Sequence, residues 1–212
     1  MNPKNIVVLG AAGRTGHLIV EEALRAGHRV TAAVRTPERF PATTTSAGLR
    51  VVRADVRDTH SLRDVIRGHD AVISAVGPAG RKAHSLYSDG ARATVTAMRD
   101  TDVDRYLAIT SVGVRHDDPR LSWWYRNLIW PIGKDLYTDM SLMEDIVRAT
   151  DLDWTFVRPT YLQDREPSGG YRVTDNSTPE NGWKITRADL ARFVIEELDQ
   201  HRWSRRAPSL AE

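Results

Sequence analysis

Short apolar runs alternate along the chain with segments whose apolar residues recur at helical spacing. Ile6 to Leu9 is followed by Thr15 to Ala26, then by Arg29 to Val34, Leu49 to Ala54 and Leu62 to Arg67. Further strand-like runs lie at Asp70 to Val76, Tyr106 to Thr110 and Trp154 to Val157. A strand covered by helices on both sides shows no polar face to water, so it reads as a continuous apolar run. Helices are expected at Ser88 to Arg99, Asp139 to Ala149 and Ala188 to Leu198, with Gly27 and Gly68 placed where a left-handed residue closes a helix. Strand and helix in alternation predict an α/β protein with a doubly wound, mainly parallel sheet and helices on both faces.

After Thr160 the pattern changes. Pro167-Ser168-Gly169-Gly170 is turn-rich, short polar strands follow, and Thr186 with Asp189 three residues later resembles a capping box. The polar tail from Trp203 onward reads as partly frayed. Because the later strands are expected to complete the first sheet, residues 1–212 are read as a single domain, with substrate-side elements mainly in 114–185.

The candidate chemistry starts at Gly10-Ala11-Ala12-Gly13-Arg14-Thr15-Gly16, between a predicted strand and a predicted helix. Small residues there let the backbone approach a diphosphate, and the unpaired N–H groups of the helix face the anion. The spacing is GxxGxxG rather than GxGxxG, so the strand and helix around it carry more weight than the glycines alone. At the end of the second strand an acidic residue would accept from a ribose 2′-hydroxyl. Arg35 stands there instead, with Arg39 nearby and Arg14 in the turn, which favours NADP(H) over NAD(H). Asp55, at the end of the third strand, is placed to accept from an adenine amino group or to cap the next turn, with Val56 beside the ring. Ala75, Val76 and Gly77 end the fourth strand with little bulk, as a nucleotide lying across the sheet edge requires.

Composition narrows the function. The 212 residues carry 30 basic and 28 acidic side chains, and the basic residues are dispersed, so nothing calls for nucleic acid. No apolar run approaches the length that crosses a bilayer, so no transmembrane segment is expected and the protein is read as cytoplasmic. With no cysteine, disulfides, thiolate metal sites and cysteine nucleophiles are excluded. The histidines and carboxylates lack metal-ligand spacing, so no catalytic metal is expected. Monomer and homodimer both remain open.

The chain resembles the atypical short-chain dehydrogenase/reductases of the NAD(P)H-binding group that includes flavin reductase, also called biliverdin-IXβ reductase. The likeness runs through Gly10 to Gly16, Val34-Arg35 with Arg39, Asp55-Val56, Ser88-Asp89-Gly90-Ala91-Arg92, Thr110-Ser111, Asp151-Leu152-Asp153-Trp154 and Arg158-Pro159. It continues through Gly169-Gly170-Tyr171, Ile185-Thr186 and Asp189-Leu190. The resemblance implies a Rossmann-like fold and hydride transfer from a nicotinamide to a flavin or another planar conjugated acceptor. It carries cofactor contacts onto Gly10, Gly13, Arg14, Thr15, Gly16, Arg35, Arg39, Asp55, Val56, Ala75, Val76 and Gly77. It also puts Ser111 beside the nicotinamide and Pro159 and Thr160 at its carboxamide. Two departures stand out: Glu144-Asp145 replaces a His-Lys pair, which alters the local charge, and Leu121 to Trp130 is richer in tryptophan.

The Tyr-x-x-x-Lys pair of a typical short-chain dehydrogenase is missing, since Tyr137 is followed four residues later by Ser141 and Tyr125 by Ile129. Carbonyl chemistry is therefore disfavoured. A flavin or quinone needs less protein acid, because its own conjugation stabilises the reduced form. Ser111 is the candidate catalytic residue, as an orienting hydroxyl or simply as a backbone cap. His84 is a candidate at the substrate mouth, and the alternative is a solvated loop histidine. Trp123 and Trp124 are candidates for stacking on the acceptor, against core packing, a dimer contact or shallow attachment to a membrane. A small planar acceptor is thus the expected partner. The competing function is a non-catalytic NADP(H)-sensing regulator of the same fold.

Overall fold

The computed structural model describes residues 2–41, 46–78, 80 and 82–212. In chain order the strands and helices are β1 (Asn5–Leu9), α1 (Arg14–Arg25), β2 (Arg29–Val34), β3 (Leu49–Arg53), α2 (Thr59–Ile66), β4 (Ala71–Ser74), α3 (Leu86–Arg99), β5 (Arg105–Ile109) and α4 (Trp130–Arg148). They continue with β6 (Asp153–Pro159), β7 (Tyr161–Gln163), β8 (Arg172–Asp175), β9 (Lys184–Thr186), α5 (Arg187–Gln200) and β10 (Pro208–Ala211). Eight strands form one sheet in the order β3-β2-β1-β4-β5-β6-β10-β8. All neighbours are parallel except β10 and β8, giving the expected Rossmann-like, mainly parallel fold.

The apolar runs are explained by burial on both faces. On β1, Val7 and Leu9 pack with α2, α3 and α4, while Ile6 and Val8 pack with α1 and α5. Successive side chains of a strand point to opposite faces, so every residue of the run is needed by one core or the other. Gly27 and Gly68 have φ of +88° and +76°, the left-handed region expected of helix terminators. Two buried ion pairs brace the centre. Arg105 meets Glu197 of α5 at 2.8 Å on one face, and Arg158 meets Glu144 of α4 on the other. Glu144 also accepts from the Thr110 hydroxyl at 3.0 Å and pairs with Arg148 at 3.0 Å. The charge brought by Glu144-Asp145 is therefore neutralised within the core at Glu144.

Three expectations need correction. The tail is not frayed: β10 inserts between β6 and β8 and is buried throughout. Its Pro208-Ser209-Leu210-Ala211 is too short and mixed to stand out as a strand, and its order comes from neighbours on both sides. The later strands do not all complete the first sheet either, because β7 and β9 pair with each other in a separate parallel ribbon. Finally, α4 begins at Trp130, nine positions before the predicted Asp139, with Pro131 in its first turn. A π-helical turn at Tyr125–Ile129 leads directly into it, with the Trp130 N–H donating to the Tyr125 carbonyl, and Pro131, which has no N–H to donate, stands just after that wide turn. Among the described residues no helix is long and apolar enough to cross a membrane.

Candidate functional site

The chain runs from β1 outward through β2 to β3 and then returns to place β4 on the other side of β1. At such a reversal the connections leave a crevice at the carboxyl ends of the strands. A cavity of about 460 Å³ lies there, bordered by Gly10, Gly13, Arg14 and Thr15 after β1, Arg35 after β2, Asp55 and Val56 after β3, and Ala75, Val76 and Gly77 after β4. The structure thus brings together ten of the predicted cofactor residues from four segments.

The glycines have distinct reasons to be there. Gly10 has φ +74°, and a Cβ on it would stand 2.8 Å from the Ala75 carbonyl oxygen. Gly16 lies under the turn rather than on the cavity wall, where a Cβ would come within 2.3 Å of the Gly10 carbonyl oxygen. Gly13 is the N-cap of α1, with no side-chain cap and no acidic residue in the first turn. The first N–H groups of α1 therefore lack a side-chain acceptor, as a diphosphate site requires.

Charge around this cavity is mostly basic. Arg35 is exposed and makes no ion pair among the described residues. Arg57, not singled out in the sequence, also lines the wall; it donates to the His84 carbonyl and stands 3.9 Å from Asp89. Its position two residues after Asp55 was the available signal. Arg187, the first residue of α5, reaches the same cavity and pairs at 2.7 Å with Asp164, which Arg14 also meets at 2.5 Å. No local pattern could announce Arg187, because it is remote in sequence from every other wall residue. Asp55 accepts from the Arg57 backbone N–H at 3.0 Å, so it caps the next turn, and it also lines the cavity.

Four predicted site residues lie apart. Arg39 ends a short helical turn at Pro37–Arg39 and does not border the cavity. Pro159 is buried at the end of β6. His84 has φ +48° and lines neither this cavity nor the next one described. Ser111 follows β5, and its Oγ accepts from the Gly113 N–H at 3.1 Å, so it caps the turn there.

A second cavity, of about 930 Å³, opens farther along the same sheet edge, over β5 and β6. Val112 and Thr160, just past the ends of those strands, form part of its wall, with Trp123, Trp124, Tyr125, Tyr161 and Trp183 around it. These aromatics are far from buried: Trp123 is 74% exposed, Tyr161 64% and Trp183 53%. Tyr161 and Trp183 stack at 6.0 Å between ring centroids. Core packing therefore does not account for Trp123. The Thr160 hydroxyl donates to the Leu210 carbonyl at 3.1 Å, which ties this wall to β10.

At the inner end of the second cavity a pair of phenols meets. Tyr125 Oη donates to Tyr137 Oη at 2.8 Å. Burial pushes the Tyr125 pKa well up, the Tyr137 hydroxyl adds to the rise, and the Ser111 hydroxyl offsets it in part. Tyr137 occupies a slot between two glycines, since a Cβ on Gly113 or Gly133 would fall 2.4 or 2.7 Å from its ring. A phenol held neutral in this way donates a hydrogen bond but does not readily release its proton.

Known proteins share this fold. A candidate NADH-flavin reductase from Streptococcus pneumoniae superposes with a TM-score of 0.77 at 25% identity, covering 99% of each chain. A short-chain dehydrogenase/reductase of Veillonella parvula, solved with NADP, superposes with a TM-score of 0.81 over 99% of this chain and 94% of that one; at 17% identity this is a likeness of fold. The uncharacterized sugar epimerase YhfK of Bacillus subtilis is 26% identical, over 98% of this chain and 94% of its own length. Residues 10–201, which hold six of the eight strands of the large sheet and helices α1 to α5, match the profile described as NAD(P)H-binding, and the chain belongs to that family.

Proposed function

We propose that the protein is an NADPH-dependent oxidoreductase that passes hydride to a flavin, a quinone or a similar planar conjugated acceptor. The observation that carries this reading is the pair of cavities on one sheet edge, a basic one over β1 and β4 and an aromatic one over β5 and β6. The reduced nicotinamide, when bound, supplies the hydride. The turn from Gly10 to Gly16 and the first N–H groups of α1 hold the diphosphate. Arg35, with Arg57 beside it, meets the 2′-phosphate through charge-assisted hydrogen bonds. Asp55 accepts from the adenine amino group, and Val56 packs on the ring.

Thr160, on the wall of the second cavity, and Ser111, just past the end of β5, orient the nicotinamide end. Trp123, Trp124 and Trp183 present flat faces to the acceptor, so stacking fixes its distance and angle. Tyr125 stays neutral and serves as a hydrogen-bond donor. The proton that follows the hydride comes from water, because no lysine follows Tyr125 or Tyr137 at the fourth position. Placement is then the protein's main contribution.

The reading is tested by mixing purified protein with NADPH and, in turn, FMN, riboflavin and menadione, and following loss of the reduced nicotinamide. Turnover with at least one acceptor, faster with NADPH than with NADH, is expected. Tight NADPH binding with no turnover of any acceptor would replace this reading with the non-catalytic sensor.

A further inference from the structure

On β6, Trp154, Phe156 and Arg158 point to the same face of the sheet, the face packed by α4. Beyond α4 a separate cleft of about 390 Å³ opens beside β6, β8 and the start of β10, and it shares no residue with the two cavities described above. Its wall carries five guanidinium groups, from Arg115, Arg148, Arg158, Arg205 and Arg206, against one lining carboxylate among the described residues, Asp175.

These groups are held in place: Arg115 commits its three guanidinium nitrogens to Asp117 and the Asn176 carbonyl, and Arg158 commits its own to Glu144 and the Asn176 side chain. Arg148, Arg205 and Arg206 keep guanidinium N–H groups without a hydrogen bond among the described residues. Arg158 is buried; Nε donates to Glu144 at 3.0 Å and Nη1 to the Asn176 side chain at 2.7 Å. The Arg148 guanidinium lies over the rings of Trp154 and Phe156 at 5.3 and 5.0 Å. Arg205 bonds only the Thr150 carbonyl, at 2.9 Å, and has no carboxylate partner among the described residues. Arg206 meets Asp175 at 3.1 Å. An independent feature points the same way. Trp154 lines this cleft, is 8% exposed, and its Nε1–H is buried without a hydrogen-bond partner. A buried donor left unpaired is costly, and native proteins rarely keep one.

The carboxylates Asp117, Glu144, Asp145 and Asp175 answer most of this charge. What stays open, the free N–H groups of Arg148, Arg205 and Arg206 and the unpaired indole N–H, matches an acceptor-rich, negatively charged occupant. We propose that this cleft binds a small soluble polyanion of the phosphate class, a phosphate ester or a diphosphate, through Arg205 and Arg206 at the rim and Arg148 and the Trp154 indole N–H at the floor. Guanidinium forks match phosphate oxygens in charge and geometry, and the cleft volume falls in the range of small-ligand sites. The floor also connects to the nicotinamide end. Glu144 joins Arg148 and Arg158 to the Thr110 hydroxyl, one residue before Ser111. The proposal does not depend on the NADPH reading.

Calorimetric titration of the full-length protein with inorganic pyrophosphate, at low and constant ionic strength, tests it. Three proteins are compared: the wild type, the double variant Arg205→Gln/Arg206→Gln, and Gly13→Asp, which blocks the α1 turn. Binding by the wild type is expected; Gly13→Asp, which removes any pyrophosphate held at the α1 turn, should keep the cleft component, and the double variant should weaken that component by about tenfold or more. In parallel, the Trp154 indole N–H resonance, assigned through Trp154→Phe, should shift on titration. No heat with the wild type, full affinity in a folded double variant, or loss confined to Gly13→Asp would each overturn the assignment.

Discussion

Helices α1 and α3 both start near the carboxyl edge of the sheet, yet their first turns are treated in opposite ways. At α1 the N-cap is Gly13, with no side chain to offer and no acidic residue following. At α3 the N-cap Ser85 gives no side-chain bond either, but α4 reaches over and supplies one. The Asp139 carboxylate accepts from the backbone N–H groups of Tyr87 at 2.9 Å and Ser88 at 3.2 Å, and Asp135 accepts from Ala83 at 2.7 Å. Both helices have the same partial positive charge at this end. Only α1 leaves it without a side-chain acceptor. On the function proposed above, an anion site is made as much by withholding carboxylates from one helix end as by putting glycine there.

The sharpest way to break this contrast is to give α1 the cap that α3 receives. Gly13 has an extended backbone, and a Cβ there would meet only the Gly10 carbonyl oxygen at 3.2 Å, so Gly13→Asp can be accommodated with a small shift. NADPH affinity measured by calorimetry should fall about a hundredfold, ~2.8 kcal/mol. The melting temperature should hold or rise slightly, because aspartate at an N-cap gains roughly a few tenths of a kcal/mol over glycine. The converse change, Asp139→Ala, uncaps α3. It should cost about 2 kcal/mol in denaturant unfolding, with NADPH affinity of the folded protein within about twofold of wild type, since the carboxylate lies off the cofactor cavity.

A third helix start, at α5, sharpens the contrast through pH. Thr186 Oγ1 accepts from the Asp189 N–H at 2.9 Å, and the Asp189 carboxylate accepts from Thr186 Oγ1, the Ser168 N–H and the Gly169 N–H. Burial pushes the Asp189 pKa up, but these hydrogen bonds outweigh it and hold the pKa below the ordinary carboxylate value. A depressed folded pKa contributes stability that is present above the unfolded value of about 4 and is lost as pH falls through the folded one. Asp189→Asn should therefore lower stability at neutral pH by about 1.5 kcal/mol. It should also flatten the decline between about pH 5 and 2 in unfolding curves.

The smallest effect expected is that of Arg35→Ala. The site is exposed, so solvent screens the contact, and the NADPH/NADH affinity ratio should drop about tenfold. A ratio unchanged in both Arg35→Ala and Arg57→Ala would remove the 2′-phosphate assignment. Arg39, away from the cavity, should have no effect on the ratio.

Much of the nucleotide end was legible because its residues sit at strand ends, and strand ends can be read from where apolar runs stop. Gly10, Arg35, Asp55 and Ala75 each follow such a run, and a parallel sheet brings the ends together. Arg57 and Arg187 carry no such mark, the first because it stands in the turn beyond the end of β3, the second because it comes from the far end of the chain. The aromatic cavity was half legible. Trp123 and Trp124 stood out, while Tyr161 and Trp183 join them only through the β7 and β9 ribbon.

Local chemistry settled the alternation of strands and helices, the doubly wound class, the glycine turn and the capping residues of α5, because each depends on residues close together in sequence. The tertiary structure alone decided that β10 is a buried strand, that Glu144 is neutralised by Arg148 and Arg158, that α4 caps α3, and that five arginines share one cleft. Those outcomes depend on which distant segments become neighbours, and burial and charge compensation take effect only once they have.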